Sequence, residues 1–190
     1  MISGLDKNTA LVLIDFQQGL RQASFLTPIE DILQKANELI HGFRKAGLPI
    51  VIVTVNPAGA RKRSTRVTSK MNLENIPAAF FELMPELDVQ PEDLRVTKHT
   101  FGAFFETKLH ESLQQRDITG IVLGGIVTSI GVEGTARQAS ELGYNICFAE
   151  DAMSDRIALS HENSIKNIFP RMGEVGLTEE ILETLKNGTV

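Results

Sequence analysis

Cysteine is almost absent from this chain, and tryptophan is missing altogether. The single thiol, Cys147, can form no internal disulfide. It also cannot supply the group of thiolates that holds zinc in a cysteine-based site. The fold must therefore depend on burial of the 42% of residues that are hydrophobic, and 190 residues are enough for one well-buried core. We expect a single domain spanning residues 1–190.

An excess of positive charge is also lacking. The formal net charge is -5 at pH 7, so phosphate backbones and anionic membrane surfaces should repel the molecule as a whole. No run of residues stays apolar long enough to span a membrane, and the first residues do not follow the pattern of a secretory signal. We therefore expect a cytoplasmic protein that binds a small molecule, and neither nucleic acid nor membrane as a partner.

Short apolar runs rich in valine and isoleucine alternate with longer amphipathic stretches. The runs cover residues 9–16, 49–55, 94–98, 120–127 and 145–150, with a weaker one at 173–177. Because the runs are continuously apolar, both faces of each strand should be covered, as in a parallel sheet between helices. The pattern predicts an α/β fold with a doubly wound parallel sheet, whose crevice lies beyond the carboxyl ends of the strands.

The stretches between the runs predict helices over residues 27–47, 103–116, 129–143, 158–169 and 178–186. The first has the residues of a capped helix start: Thr27 as the N-cap, Pro28 at the first helical position and Glu30 reaching back to the cap. These helices are expected on both faces of the sheet.

Three candidate positions follow predicted strands at the same edge. Asp15 ends the first strand, Lys98 ends the third, and residues 128–131 follow the fourth at the start of a helix. Each position has a simple structural explanation when taken alone. An aspartate after a strand forms turns, a lysine at an edge is solvated, and Gly131 could allow close packing.

Three motifs in combination point to a known family. "ALVLIDFQQGL", "VTKHTFGAFFETKL" and "GGIVTSIGVEGTARQASELGYNICFAEDAMSD" resemble, in order and spacing, the isochorismatase-like hydrolases of the cysteine hydrolase superfamily. The resemblance implies a six-stranded, doubly wound, Rossmann-like three-layer fold. In the amidase branch it also implies a catalytic triad of aspartate, lysine and cysteine. Asp15 and Lys98 match the first two, and the position of the cysteine falls on Gly131.

Glycine cannot act as the nucleophile that an amidase of this kind needs. The resemblance to the true isochorismatases implies another mechanism, in which Asp15 as general acid protonates an enolpyruvyl vinyl ether and water completes its cleavage. Lys98 would orient Asp15 and the carboxylates of the substrate, and Gly131 would leave space for it. Two alternatives stay open: an amidase that uses Ser129 or water, and a binding protein without catalysis. Ser129 could instead cap its helix.

Phe16 and Phe101 could form apolar walls beside Asp15 and Lys98, or could pack in the core instead. Further candidate substrate contacts follow the fourth strand: Val127, Thr128, Ser129 and Ile130. Arg61, in a basic loop, could pair with a substrate carboxylate or stay solvated. The resemblance implies a cis peptide bond between Val127 and Thr128, and backbone amides at the helix start that hold an anionic oxygen. Residues 56–70 contain no histidine or acid, unlike the metal-binding branch, so we expect no metal and no cofactor. The family resemblance further implies a homodimer or homotetramer.

Overall fold

Six parallel strands form one sheet. The computed structural model describes residues 2–60, 66–68 and 76–187. The strands are β1 (Thr9–Ile14), β2 (Ile50–Val55), β3 (Leu94–Lys98), β4 (Gly120–Ile126), β5 (Asn145–Ser154) and β6 (Gly173–Gly176). Their order across the sheet is β3-β2-β1-β4-β5-β6, and every neighbouring pair is parallel. The predicted α/β doubly wound six-stranded sheet is confirmed.

Helices cover both faces of the central strands β1 and β4, whose residues are all buried, whereas the edge strand β3 leaves Arg95 and Thr97 exposed. The helices are α1 (Ile29–Lys45), α2 (Leu109–Gln114), α3 (Glu133–Glu141), α4 (Ala158–Asn163) and α5 (Thr178–Asn187). Apolar residues of α1 and α5 pack with Leu11 and Leu13 of β1 in one core cluster. Residues of α2 and α3 pack with Val12 and Ile14 in a second cluster. Alternate residues of β1 thus point into opposite layers of core. Within the described residues, we find no helix whose length and apolarity would let it cross a membrane.

The predicted capping box of α1 is wrong. Pro28 occupies the N-cap position without a side-chain cap, and the helix begins at Ile29. The amide of Thr27 instead donates to Ser154 Oγ over 3.1 Å, which ties this residue to the end of β5. A long-range contact therefore replaces the local bond that the sequence suggested.

The second predicted helix, residues 103–116, is much shorter than expected and spans Leu109–Gln114. The amides of Ala103 and Phe104 donate to side chains of α3, Thr135 Oγ1 at 3.1 Å and Gln138 Oε1 at 2.9 Å. These side chains replace helical acceptors for the two amides, and residues 101–108 form bends and turns instead of a helix. Tertiary hydrogen bonds thus override the amphipathic pattern.

The topology sets where a site can form. From β1 the chain winds outward to β2 and β3 on one side, while β4, β5 and β6 continue on the other. The carboxyl ends of β1 and β4 therefore lie side by side at the point where the winding reverses, which is where doubly wound folds bind ligands. Asp15 follows β1 at this point, and the segment after β4 begins beside it.

Gly125 allows β1 and β4 to approach closely at this edge. Its φ is +131°, and a Cβ atom built on it would lie 2.3 Å from the carbonyl oxygen of Ile14. No side chain fits there without moving the backbone of β1, which leads directly into Asp15.

We expect Gly125→Ala to lower the free energy of unfolding by more than about 3 kcal/mol, because it adds a backbone clash to an unfavourable φ. Gly143→Ala is the matched control, since φ there is +85° but no atom of the described residues lies within 4 Å of the added carbon. It should cost about 1 to 2 kcal/mol. Urea denaturation measures both, and equal losses would contradict the close approach.

Candidate active site

A buried ion pair lies at the carboxyl edge of the sheet. Lys98 Nζ is 2.7 Å from Asp15 Oδ2, and the two side chains are 2% and 7% exposed. Lys98 ends β3, which is separated from β1 by β2. Neighbouring strands are about 4.8 Å apart, so the long lysine side chain is needed to pass the end of β2 and reach Asp15. The same ammonium donates to the carbonyl of Phe101 at 2.8 Å.

A tight turn directs Asp15 toward the crevice. Its φ is +57°, in the left-handed region that aspartate tolerates better than most residues. The amide of Asp15 still bonds to Val53 O at 2.9 Å as a continuation of the sheet, and its own carbonyl accepts from the amide of Gln17 at 2.8 Å. The chain therefore leaves the sheet at Asp15 itself.

Gln17 holds the strand that lies between the two charged residues. Its side chain accepts from the amide of Val55 at 2.7 Å and donates to the carbonyls of Val55 at 3.1 Å and Phe81 at 2.8 Å. The residue is 2% exposed. Gln17 thus fixes the end of β2 against the turn after β1, in the gap that Lys98 crosses.

Burial dominates the electrostatics of Asp15. It raises the pKa of the Asp15 carboxyl to about 6, although the charge of Lys98 and its hydrogen bond act in the opposite direction. The two oxygens differ, because Oδ2 faces Lys98 whereas Oδ1 is buried and has no hydrogen-bond partner among the residues that the structure describes. A proton on this carboxyl therefore belongs on Oδ1, since Oδ2 accepts from the ammonium.

Gly131 faces the ion pair directly. A Cβ atom built on it would lie 3.1 Å from Asp15 Oδ2 and 3.3 Å from Lys98 Nζ, with Ile14 Cγ2 at 3.0 Å. The position to which the resemblance assigns the family's cysteine thus points at both charged groups. Its backbone is fixed as well, because Thr135 Oγ1 donates to Gly131 O at 2.7 Å.

The turn that carries Gly131 begins with an unusual backbone. The cis peptide bond joins Ile126 to Val127, so its predicted place between Val127 and Thr128 is wrong by one residue. Ile126 is the last residue of β4, so the chain changes direction where its ladder of hydrogen bonds ends. Residues Thr128–Val132 then form a wide π-type turn, in which the amide of Val132 donates to Val127 O at 3.2 Å.

An internal carboxylate already occupies part of this helix start. Asp155 Oδ2 accepts from the amide of Ser129 at 2.8 Å, and Oδ1 accepts from the amides of Arg156 and Ile157 at 2.7 and 3.1 Å. Asp155 is 2% exposed. The expectation that the amides at this start are free for a substrate anion is therefore wrong for Ser129. Asp155, from the end of β5, supplies the cap that Ser129 was considered for.

The other predicted contact residues lie in different environments. Phe16 is 1% exposed and packs in the core, which is one of the two roles that the sequence left open for it. Phe101 is 72% exposed and Ile130 48%, whereas Thr128 is fully buried. Val127 is partly buried next to the cis bond. Arg61 lies outside the described residues.

Across the segments that the structure does describe, no group of three or more histidine, cysteine or acidic side chains could hold a metal ion.

Comparison with known proteins identifies the family. The model of the isochorismatase domain matches residues 9–180. The chain belongs to the isochorismatase family. An uncharacterized family protein of Bacillus subtilis, YwoC, is 41% identical over 95% of each chain. Another from Escherichia coli O157:H7, YecD, is 39% identical over 94% of this chain and 97% of its own. The solved structure of an isochorismatase family protein from Burkholderia thailandensis has a TM-score of 0.92 and 35% identity, covering 98% of this chain and 100% of its own.

Members of the isochorismatase family are hydrolases, and so is this chain. Relatives at 23% to 26% identity include a maleamate amidohydrolase of Pseudomonas putida, a nicotinamidase of Arabidopsis thaliana and an isochorismatase of Bacillus subtilis. The reactions in these names differ, so family membership alone does not fix the bond that is cleaved.

Sequence reasoning missed three residues that shape the site: Gln17, Asp155 and His161. All three act by hydrogen bonds between segments far apart in the chain. Gln17 and Asp155 do follow strands at the relevant edge, and that position is the one signal that could have marked them.

Lys98→Met should raise the pKa of Asp15 further above its value of about 6, because it removes the ammonium that opposes the effect of burial. Carboxyl carbon chemical shifts of labelled aspartate, followed against pH, measure the change. Arg95→Met, in the same strand and exposed, should leave the pKa of Asp15 unchanged. An unchanged or lower pKa in Lys98→Met would contradict the description of the pair.

Proposed function

We propose that this hydrolase cleaves the enolpyruvyl vinyl ether of a small carboxylate-bearing substrate, such as isochorismate, by general acid catalysis without a metal. The observation that carries the proposal is the buried Asp15 Oδ1, to which no described residue gives a hydrogen bond. It belongs to a buried carboxyl whose pKa is about 6, beside a residue that has no side chain. A general acid works best when its pKa is near the operating pH.

Asp15 supplies the proton that starts the cleavage. Protonated Oδ1 gives its proton to the terminal carbon of the enolpyruvyl double bond, which leaves an oxocarbenium ion at the ether carbon. Water adds to that carbon, and the resulting hemiketal collapses to pyruvate and an alcohol. The proton that water brings returns to Asp15, so the enzyme is restored and one water molecule is consumed. No covalent intermediate is needed, which suits the glycine at position 131.

Lys98 has two tasks in this proposal. Its hydrogen bond to Oδ2 holds the carboxyl and leaves the proton on Oδ1. When Asp15 is protonated the ammonium loses its counter-charge, so it attracts a carboxylate of the substrate. An ammonium has three N–H donors, and the bonds to Asp15 and Phe101 use two of them.

Two alternatives have less support. An amidase that uses Ser129 would need its hydroxyl near the ion pair, but Gly131, two residues farther along the helical turn, is the one facing it. Activated water remains the other route to an amide. For a binding protein without catalysis, the raised pKa of Asp15 would have no use, although the nearly complete burial of the pair suits that reading.

Asp15→Asn should lower the rate of pyruvate release from isochorismate by about 10² to 10⁴ fold, because asparagine keeps the shape but has no acidic proton. A coupled lactate dehydrogenase assay measures the pyruvate. Asp31→Asn, in the exposed first turn of α1, is the control and should keep full activity. An amide panel, followed by ammonia release, runs in parallel.

The pH profile provides a second reading of the same experiment. Because the acid must be protonated, kcat/KM should be constant well below pH 6 and fall tenfold per pH unit above it. A rate that rises through pH 6 would mean that ionised Asp15 is the active form. Ammonia release from amides without any pyruvate would favour the amidase, and no turnover in either assay would favour a binding protein.

We also propose that the protein self-associates as a dimer or tetramer. Large apolar side chains are exposed near the site: Phe101 at 72%, Ile157 at 60% and Leu159 at 80%. Sedimentation velocity should show an oligomer that Leu159→Glu converts to monomer. Leu142→Glu, exposed at the far end of α3, should leave the oligomer intact. A wild-type monomer would contradict the proposal.

A further inference from the structure

A histidine outside the ion pair holds the first side chain of the turn that carries Gly131. His161 Nδ1 lies 2.9 Å from Thr128 Oγ1. Thr128 is fully buried, and His161 is half-buried on α4. A buried hydroxyl that loses its partner is costly, so this bond strongly favours one orientation of Thr128.

The backbone hydrogen bonds at the start of this turn converge on a single carbonyl. The carbonyl of Val127 accepts from two amides, those of Ile130 at 3.1 Å and Val132 at 3.2 Å. Wide turns of this kind are rare and are found mostly at functional sites. Side chains beyond the turn therefore hold its start in two places: Asp155 binds the amide of Ser129, and His161 binds the hydroxyl of Thr128.

We propose that His161 is a positioning residue of the active site. By fixing Thr128 it sets the place of Gly131, three residues later, against Asp15 and Lys98. This inference rests on the proposed function, since it takes the ion pair and Gly131 to be the site. The ring acts through Thr128, and His161 also lines a 270 Å³ surface depression whose charged members are Glu150, Asp151, Glu162 and Lys166.

The test uses a reporter that needs no substrate. Gly131→Cys introduces a thiol whose Cβ atom would lie 3.1 Å from Asp15 Oδ2 and 3.3 Å from Lys98 Nζ. Its alkylation by iodoacetamide then reports how well the turn is placed, because the nearby ammonium favours the reactive thiolate. Cys147 gives little background, because burial raises the pKa of its thiol to about 12 and leaves almost no reactive thiolate at neutral pH. The protein that keeps Gly131 measures the alkylation of Cys147 alone.

Three further substitutions, all at His161, are then compared in the Gly131→Cys protein. The side-chain amide of asparagine reaches the position of Nδ1, so His161→Asn should keep the bond to Thr128. Its thiol should be alkylated within about twofold of the rate of the Gly131→Cys protein that keeps His161. His161→Ala removes the bond, and the longer His161→Gln places its amide beyond it. Both should slow alkylation at neutral pH about tenfold or more, because small misplacements in a site have large kinetic effects. A general packing role would not distinguish asparagine from glutamine.

Equal alkylation rates in all three variants would overturn the proposal. Amide hydrogen exchange of residues 127–133, measured without the Gly131→Cys change, covers the case in which that variant does not fold. His161→Ala and His161→Gln should speed this exchange, His161→Asn should not, and no difference among them would also overturn the proposal. Neither measurement involves turnover, so failure of the proposed vinyl ether chemistry leaves this outcome readable on its own.

Discussion

A charged carboxyl and a charged amine buried together are the constraint on which this site depends. Taking either group out of water alone is costly, and each is tolerated because the other lies 2.7 Å away. The two effects on the pKa of Asp15 are unequal: burial raises it by more than Lys98 lowers it, so the pKa is about 6. The pair is thus set so that the aspartate exchanges a proton near neutral pH. A carboxyl left in solvent beside a lysine would remain ionised there.

The rest of the edge of the sheet serves that pair. Gln17 fixes the end of β2, which Lys98 must cross, and Gly125 lets β4 approach the residue before Asp15. Asp155 and His161 hold the turn that faces the two charges. Each of these contacts joins segments that are far apart in the chain, so the site forms only when the sheet and the segment after β5 are both in place.

The sequence predicted the sheet well because a buried parallel strand leaves a strong local signal. Residues 94–98 were predicted at the observed bounds, and the other five strands differed mainly at their ends. Asp15 and Lys98 were found because the carboxyl ends of parallel strands share one edge, and the family resemblance then linked them to Gly131. Arg61 remains a prediction, since it lies outside the described residues.

The errors came from interactions that local patterns do not contain. Thr27 looked like a helix cap, but its amide bonds to Ser154. Residues 103–108 looked helical, although side chains of α3 accept the amides of Ala103 and Phe104. The amide of Ser129 was expected to be available to an anion, but a carboxylate from the end of β5 already binds it. No spacing rule along the chain indicates such partners.

Because Lys98 must reach across β2 to Asp15, the ion pair depends on the register of three neighbouring strands. Side chains alternate between the two faces of a strand, so a slip of β3 by one residue would turn its lysine toward the opposite layer. Most of the hydrophobic core would still be covered, since β3 is an edge strand whose apolar residues, Leu94 and Val96, are only partly buried. A misregistered molecule would therefore pass as folded by its compactness and helix content, yet its aspartate would lack the amine that orients the proton.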